Sequence, residues 1–199
     1  MLKRVFDILF STGALFVLGP FLLVVAVWVK CDSPGPVFFR QLRVGQHGRK
    51  FRIYKFRTMQ ADAEHVGPQI TAGLDARITR SGKFLRKYKI DEFPQFINVL
   101  LGTMSVVGPR PEVPRYVALY PMELRELVLS VRPGITDQAS IECKDESDIL
   151  ARAEDPEKAY VEKILPIKLR YYADYAKRHS LWVDFLIVVE TFGAIFLRR

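Results

Sequence analysis

Two neighbouring carboxylates, Asp91 and Glu92, follow a run of cations in RKYKIDEFPQFINVLLG, the sequence of residues 86–102. Like charges this close repel each other, so two acids at adjacent positions need an explanation. Mg²⁺ that is bound to phosphate oxygens takes one or two carboxylates, and a carboxylate can also attack phosphorus as a nucleophile. The pair therefore suggests chemistry on a phosphate or diphosphate, provided that cations gather around it.

Basic residues from three parts of the chain could surround the two acids. They are Lys55 and Arg57 in IYKFRTM, Arg86, Lys87 and Lys89 just before the acids, and Arg110 in GPRP. Pro109 and Pro111, on either side of Arg110, have fixed φ angles and would hold its guanidinium group rigidly. Together these cations predict a phosphate-binding surface around the two carboxylates. Taken singly, each of them fits a solvated surface equally well.

The local sequence predicts that the pair stands at the beginning of a helix. Pro94 is tolerated in the first turn of a helix, where its missing N–H is not required. Asp91 is therefore predicted at or near the N-cap and Glu92 at the first position of a helix over about 92–101, which stops at Gly102. Free backbone N–H groups and the positive end of the helix dipole would face both carboxylates. The same placement also suits an inert capping aspartate beside a solvated glutamate.

The other predicted elements are short. The sequence of residues 36–59 predicts a β-hairpin around residues 45–48, and residues 60–80 are typical of a polar loop. Further helices are predicted over 81–89, 121–130, 160–177 and 181–197, an extended segment over 106–116, and a Pro-Gly turn over 131–136. The last helix contains Asp184 and Glu190 and suits an amphipathic helix on a membrane or a core helix. The predicted fold class is α/β, mostly helical with a small β-hairpin.

An apolar run of 22 residues without a charge, residues 8–29, precedes these elements. At about 1.5 Å per residue it can cross a hydrocarbon core of roughly 30 Å. Pro20, after Gly19, removes a backbone hydrogen bond and is expected to kink or break the helix. Cations flank both ends, which favours a re-entrant helix with both ends in the cytoplasm, although a kinked spanning helix is the alternative. We expect a membrane-embedded segment over 1–30 and one compact cytoplasmic domain over 31–199, with interfacial amphipathic helices.

The formal net charge of +8 lies entirely in residues 1–60, which hold ten Lys or Arg against Asp7 and Asp32. A basic block beside an apolar run indicates anionic lipid or a phosphorylated ligand. Nucleic acid is disfavoured, because aromatic RNA-binding signatures and zinc-finger spacings are absent. Cys31 and Cys143 give no disulfide framework, and the three histidines lack metal-ligand spacing.

Four features, in this order, resemble the bacterial sugar transferases, which are monotopic polyprenol-phosphate phosphoglycosyl transferases. They are the basic N-terminal helix with its proline, then IYKFRTM, KIDEFPQFINVLLGTMSVVGPRPE and VRPGIT. The resemblance covers nearly the whole chain and implies transfer of a sugar 1-phosphate from a UDP-sugar to undecaprenyl phosphate. UMP and a lipid diphosphosugar would be the products, in the first membrane step of surface glycan assembly. The implied location is the bacterial inner membrane, with the catalytic domain on its cytoplasmic face and no nucleic acid partner.

The resemblance also implies roles for particular residues. Asp91 would be the nucleophile that forms a covalent phosphoglycosyl intermediate, and Asp91 and Glu92 would bind Mg²⁺. Glu92 would alternatively position the incoming phosphate. Four basic residues, Lys55, Arg86, Arg110 and the weaker candidate Arg132, would bind phosphates or carboxylates.

The chain departs from the family pattern in two places. Many members break the first helix at Ser-Pro, where this chain has Gly19 and Pro20. RPGIT is commonly followed by Gly-Trp-Ala-Gln, whereas residues 137–148 here are DQASIECKDESD. That segment is expected to bear on the donor sugar, so no sugar is predicted. Two rival functions are a non-enzymatic membrane adaptor that binds anionic lipid or nucleic acid, and a lipid-phosphate hydrolase that uses water.

Overall fold

The computed structural model describes residues 2–61, 63, 75–143 and 145–196. In this part of the chain the helices are α1 (Leu2–Asp32), α2 (Arg80–Lys87), α3 (Gln95–Leu100), α4 (Pro114–Val117), α5 (Met122–Leu129), α6 (Gln138–Glu142), α7 (Glu146–Ala151), α8 (Pro156–Ala159), α9 (Leu165–Arg178) and α10 (Leu181–Phe196). The strands are β1 (Phe38–Phe39), β2 (Leu42–Val44), β3 (Lys50–Arg52), β4 (Lys55–Phe56), β5 (Ser105–Val107) and β6 (Gly134–Thr136). There are also 3₁₀ turns at Gln46–Gly48 and Ile90–Glu92 and a π-helical turn at Tyr160–Ile164. The prediction of a mostly helical chain with small sheets is confirmed.

The N-terminal helix α1 is a single helix that continues through Pro20. The predicted break at Gly19 and Pro20 is therefore wrong. Proline in a helix interior removes one backbone hydrogen bond, but the helix can bend around the loss without ending. Both ends of α1 are also held by the rest of the protein, whereas residues 12–24 are exposed or half-buried. Within the described residues this is the one helix long and apolar enough to cross a membrane.

The predicted β-hairpin is confirmed. β2 and β3 pair antiparallel, with Arg43 opposite Phe51, around the 3₁₀ turn. The turn uses left-handed backbone at His47 and Gly48, with φ of 55° and 74°. A second antiparallel pair, β1 with β4, extends the hairpin and places Phe39 opposite Lys55. Lys55 is therefore the first residue of β4, an outer strand of this extended hairpin.

The Pro-Gly turn predicted over 131–136 is wrong in part, because Gly134 begins strand β6. β6 pairs in parallel with β5, and Ser105 lies opposite Gly134. The two backbone segments come so close that a Cβ on Gly134 would lie 2.1 Å from the backbone nitrogen of Gly108. Glycine is used at such positions because it has no Cβ. The segment after β5 is extended up to the start of α4, so the prediction over 106–116 is confirmed for most of its length.

The predicted helices over 81–89, 121–130, 160–177 and 181–197 correspond to α2, α5, α9 with its preceding π-helical turn, and α10. The loop predicted over 60–80 lies mostly outside the described residues. Thr79 caps α2 by accepting a hydrogen bond from the backbone N–H of Gly82. Three buried apolar clusters hold these elements together, and α1 contributes Val25 and Val29 to one of them. The domain and the first helix therefore share a core.

Candidate active site

Asp91 and Glu92 lie in the 3₁₀ turn Ile90–Glu92, and the helix α3 begins only after Pro94. The prediction that this helix begins at Glu92 is wrong, because its N-cap is Pro94 and Asp91 lies in the turn before it. No side chain caps the 3₁₀ turn or α3, and the N–H of Phe93 already donates to a carbonyl of the turn. The 3₁₀ turn supplies part of the hydrogen bonding that a capping side chain would otherwise provide. The two carboxylates therefore depend on side-chain cations.

Lys89 directs the chain into this turn. Its φ of 56° and ψ of 19° place it in the left-handed region, just after α2 and its C-cap residue Tyr88. For a residue other than glycine this conformation costs roughly 1–2 kcal/mol. The sharp change of direction turns the acids back towards the strand that carries Lys55. A strained residue that leads directly into paired carboxylates is typical of a functional site.

Lys55 bridges the two carboxylates. Its Nζ lies 3.0 Å from Oδ2 of Asp91 and 3.0 Å from Oε1 of Glu92. Asp91 is 2% exposed and Glu92 is also buried, so little water screens the repulsion between them. One ammonium group shared by both oxygens offsets that repulsion. The prediction that Lys55 stands beside the acids agrees with this geometry.

Arg110 binds Glu92 through both terminal guanidinium nitrogens. Nη1 donates to Oε2 at 3.1 Å, and Nη2 donates to Oε1. Burial by itself would raise the pKa of Glu92, but the charges of Arg110 and Lys55 outweigh it and hold this pKa well below its ordinary value. Glu92 is therefore ionised, and both of its oxygens are engaged.

Asp91 keeps one oxygen available. Oδ2 contacts Lys55, whereas Oδ1 makes no hydrogen bond or ion pair with another described residue. A carboxylate oxygen that is free of strong donors can act as a nucleophile or as a metal ligand. Asp91 would hold a Mg²⁺ ion through this oxygen, with phosphate oxygens of a substrate as further ligands. Glu92 fits only if Arg110 or Lys55 releases one of its oxygens.

Arg86 approaches the pair from α2. Its Nε donates to Oγ1 of Thr58 at 2.8 Å, which leaves the terminal nitrogens for other partners. Burial lowers the pKa of Arg86, while the nearby carboxylates of Asp91 and Asp75 raise it. An arginine remains charged under both influences. The structure therefore brings Arg86, together with Lys55 and Arg110, to the carboxylates.

Two other cations are placed differently. Arg57 donates to the carbonyls of Val29, Ser33 and Pro36 and so fixes the end of α1, which makes it a structural residue and corrects its prediction as part of the phosphate surface. Arg132 donates from Nε to the carbonyl of Gly102 at 3.1 Å. No contact between described residues links Arg132 with either carboxylate.

A second polar cluster, which the sequence analysis did not identify, lies on the other side of Arg110. Tyr160 donates to Oε1 of Glu112 at 2.6 Å, and Arg43 lies 3.8 Å from the second oxygen of Glu112. Lys168 and Glu146 form an ion pair at 2.6 Å. These residues come from four separate segments, so no local motif marks them. We call the cavity that they line with Arg110 the polar cavity.

A model of one protein family, described as bacterial sugar transferase, matches residues 1–198 of the chain. The chain belongs to the bacterial sugar transferase family. IYKFRTM and KIDEFPQFINVLLGTMSVVGPRPE, two of the strings that carried the resemblance, supply Lys55, Arg110 and the two carboxylates.

Similar family members are named for one type of reaction. The chain is 42% identical, over 98% of its length, to a UDP-N-acetylgalactosamine-undecaprenyl-phosphate N-acetylgalactosaminephosphotransferase of Aeromonas hydrophila, and this covers 43% of that protein. It is 41% identical, over 95% of its length, to a UDP-glucose:undecaprenyl-phosphate glucose-1-phosphate transferase of Xanthomonas campestris pv. campestris, covering 37% of it. A protein of the same name from Caulobacter vibrioides is 35% identical over 95% of the chain, and the match covers 67% of that protein. The chain thus spans about two-fifths of the first two relatives.

Proposed function

We propose that the chain is a phosphoglycosyl transferase that moves a sugar 1-phosphate from a UDP-sugar to undecaprenyl phosphate. The observation that carries the proposal is the buried Asp91–Glu92 pair with Lys55 and Arg110 bound to it, in a member of this family. A diphosphate needs several cations and one reactive oxygen, and this arrangement offers both. The sugar is left open, because the relatives are named for different sugars. The reaction would begin assembly of a surface glycan at the cytoplasmic face of the inner membrane.

Asp91 is the nucleophile in this proposal. Its free Oδ1 attacks the sugar-proximal phosphorus of the donor, the bond from that phosphorus to the bridging oxygen breaks, and UMP leaves with that oxygen. An oxygen of undecaprenyl phosphate then attacks the same phosphorus, and the bond to Asp91 breaks. The products are a lipid diphosphosugar and a regenerated carboxylate. Glu92 is less suited to attack, because Arg110 and Lys55 engage both of its oxygens.

The cations and the metal have separate tasks in this scheme. Lys55, Arg86 and Arg110 bind and orient the phosphates, and Glu92 holds Lys55 and Arg110 in place. Mg²⁺ would be held by Asp91 and by phosphate oxygens, and would neutralise charge on the diphosphate. Glu92 would become a further ligand of the Mg²⁺ only if Arg110 or Lys55 released one of its oxygens.

Intact-mass measurement of the protein mixed with a UDP-sugar alone tests the covalent step. We expect one added phosphosugar and one equivalent of UMP, and neither with Asp91→Asn. Glu162→Gln, on an exposed surface, is the matched control and should behave as the unmodified protein. An adaptor would show neither adduct nor UMP with either protein and so be indifferent to Asp91→Asn, and a hydrolase would release free sugar phosphate. Either result would contradict the proposal.

The contacts of α1 support a re-entrant rather than a spanning helix. Near its beginning, Lys3 binds Asp184 at 2.5 Å, and Oδ1 of Asp7 accepts from the backbone N–H of Val106 at 3.1 Å. Near its end, Oδ2 of Asp32 accepts from the backbone N–H of Ser81 at 2.9 Å. A straight span would place these two ends on opposite sides of roughly 30 Å of hydrocarbon. We propose that both ends lie on the domain side of the membrane and that α1 bends at Pro20.

Exposed apolar residues on α1 and α10 support contact with the membrane. On α1 the middle of the helix is exposed, with Phe16 85% accessible. On α10, Trp182, Phe185 and Val189 recur at helical spacing and are exposed, while Asp184 on another face is buried. We propose that both surfaces lie in the bilayer, with α10 as an interfacial helix.

Labelling of a single cysteine tests the topology. In a protein without Cys31 and Cys143, Leu2→Cys should be protected from a membrane-impermeant thiol reagent added to intact cells. The same cysteine should react after the cells are opened. Reaction in intact cells would contradict the re-entrant arrangement and leave the catalytic proposal unaffected.

A further inference from the structure

The polar cavity adjoins the catalytic carboxylates through a shared residue. Arg110 binds Glu92 on one side and lines the cavity on the other. A diphosphate that is bound at Arg110 therefore has one of its two substituents next to the cavity. The cavity measures about 160 Å³. Pockets that enclose a drug-sized ligand hold roughly 300–1,000 Å³, so this one suits a single polar ring rather than a whole nucleotide sugar.

The inner wall of the cavity is fixed by its own contacts. Both oxygens of Glu112 are engaged, one by the hydroxyl of Tyr160 at 2.6 Å and the other by Arg43 at 3.8 Å. The ammonium of Lys168 lies 5.1 Å from the centre of the Tyr160 ring, and the Tyr116 ring packs against that ring at 5.0 Å. The aromatic face of Tyr160 is therefore already covered. A uracil base that needs a stacking surface would find little of it here.

The outer wall carries polar atoms that have no partner. Glu146 binds Lys168 through Oε2 only, and its Oε1 makes no hydrogen bond with another described residue. The hydroxyl of Ser147, which also lines the cavity, makes none either among the described residues. Lys168 is 5% exposed, so its ion pair holds Glu146 in one position. A fixed carboxylate with one unpaired oxygen and a neighbouring hydroxyl group suit the hydroxyl or acetamido groups of a sugar.

We propose that the polar cavity receives the sugar of the UDP-sugar donor, and that Glu146 and Ser147 determine which sugar is accepted. Both residues belong to residues 137–148, where the sequence departs from the common pattern of the family. Lys168 is a positioning residue that acts through Glu146. The inference rests on the proposed transferase function.

Four donors that differ only at C2 and C4 test the assignment: UDP-glucose, UDP-galactose, UDP-N-acetylglucosamine and UDP-N-acetylgalactosamine. We expect Glu146→Gln and Ser147→Ala to change the ratio of kcat/KM between the preferred donor and a competitor by at least about 10-fold, because a hydrogen-bonding group in the cavity is altered or lost. The inhibition constant of UMP should stay within about 2-fold of the parent value, because that bound of roughly 0.4 kcal/mol excludes a lost hydrogen bond. A ratio measured in one preparation is independent of the fraction of folded enzyme. Glu162→Gln, which breaks the exposed Lys158–Glu162 ion pair, is the control and should change neither quantity.

The possible failures are distinguishable. Unchanged donor ratios with normal turnover would overturn the cavity assignment alone. Weaker inhibition by UMP in the two variants would mean that the uridine occupies the cavity, and would overturn it as well. Absence of turnover with every donor in the unmodified protein would overturn the proposed function, and the assignment with it. Calorimetric titration of the four donors into Asp91→Asn, with and without Glu146→Gln or Ser147→Ala, gives the same comparison without turnover. Equal changes of affinity for all four donors would also reject the assignment.

Discussion

One ammonium group makes it possible for two carboxylates to share a single turn. Lys55 lies 3.0 Å from an oxygen of each acid, and Arg110 adds a second cation on the Glu92 side only. The arrangement is asymmetric. Both oxygens of Glu92 are held, whereas one oxygen of Asp91 is not. This asymmetry, rather than any difference between the side chains, distinguishes the proposed nucleophile from its neighbour.

Arg110→Lys tests the two-nitrogen contact to Glu92. An ammonium group cannot form the paired hydrogen bonds of a guanidinium, although it keeps the charge. We expect the rate of UMP release with donor alone to fall by roughly 10- to 100-fold, which is less than for complete loss of an aligned donor because the charge remains. Quenched-flow measurement of UMP provides the rate. An unchanged rate would mean that charge alone suffices and that the planar contact is unimportant. Arg152→Lys, far along the sequence in the turn that ends α7, is the control.

The sequence alone indicated Asp91, Glu92, Lys55 and Arg110, because these residues lie in specific strings in a fixed order. It did not indicate that Arg57 is structural, because the carbonyls of Val29 and Ser33 that it binds are more than 20 residues away. The polar cavity was also missed. Its wall comes from separate segments, and each polar residue in it is unremarkable by itself.

At the scale of elements, close approach of backbones sets the positions of the site residues. The beginning of α2 packs against the backbone at Thr58, just after strand β4. A Cβ on Gly82 would lie 2.1 Å from the carbonyl oxygen of Thr58. Thr58 in turn accepts a hydrogen bond from Arg86. Sequence patterns predicted α2 itself, but the need for glycine at this contact arises only when both elements are in place.

Gly82→Ala tests this contact. We expect the free energy of unfolding to fall by about 1–3 kcal/mol, since backbone atoms rather than a flexible side chain must move. Gly19→Ala is the matched control, because nothing lies within 4 Å of its added Cβ, and it should be neutral or stabilising by about 0.5–1 kcal/mol. Thermal unfolding of both variants in the same detergent gives the comparison. Equal stability of the two variants would contradict the close approach.

At the scale of the whole molecule, the proposed reaction joins a water-soluble donor to an acceptor that stays in the bilayer. The ends of α1 bind the domain, and Lys3 ties α1 to α10 through Asp184. The proposed membrane surfaces of the two helices are therefore attached to the same domain as the turn that carries Asp91 and Glu92. Helix lengths and the apolar pattern were predictable from the sequence. The continuity of α1 through Pro20 was not, because the contacts that hold both of its ends are with distant residues.

Replacement of two exposed aromatic residues of α10, Trp182→Ser with Phe185→Ser, separates the two halves of the proposed reaction. Removing both rings lowers the free energy of interfacial binding of this helix, since each buried ring contributes about 1.5–3 kcal/mol. With donor alone, release of UMP should be unchanged, because the catalytic turn is untouched. Transfer to undecaprenyl phosphate in vesicles should fall about 10-fold or more. Leu119→Ser, a similarly exposed residue outside α1 and α10, should alter neither step. If the two steps slowed equally, α10 would support the fold of the domain rather than its position on the bilayer.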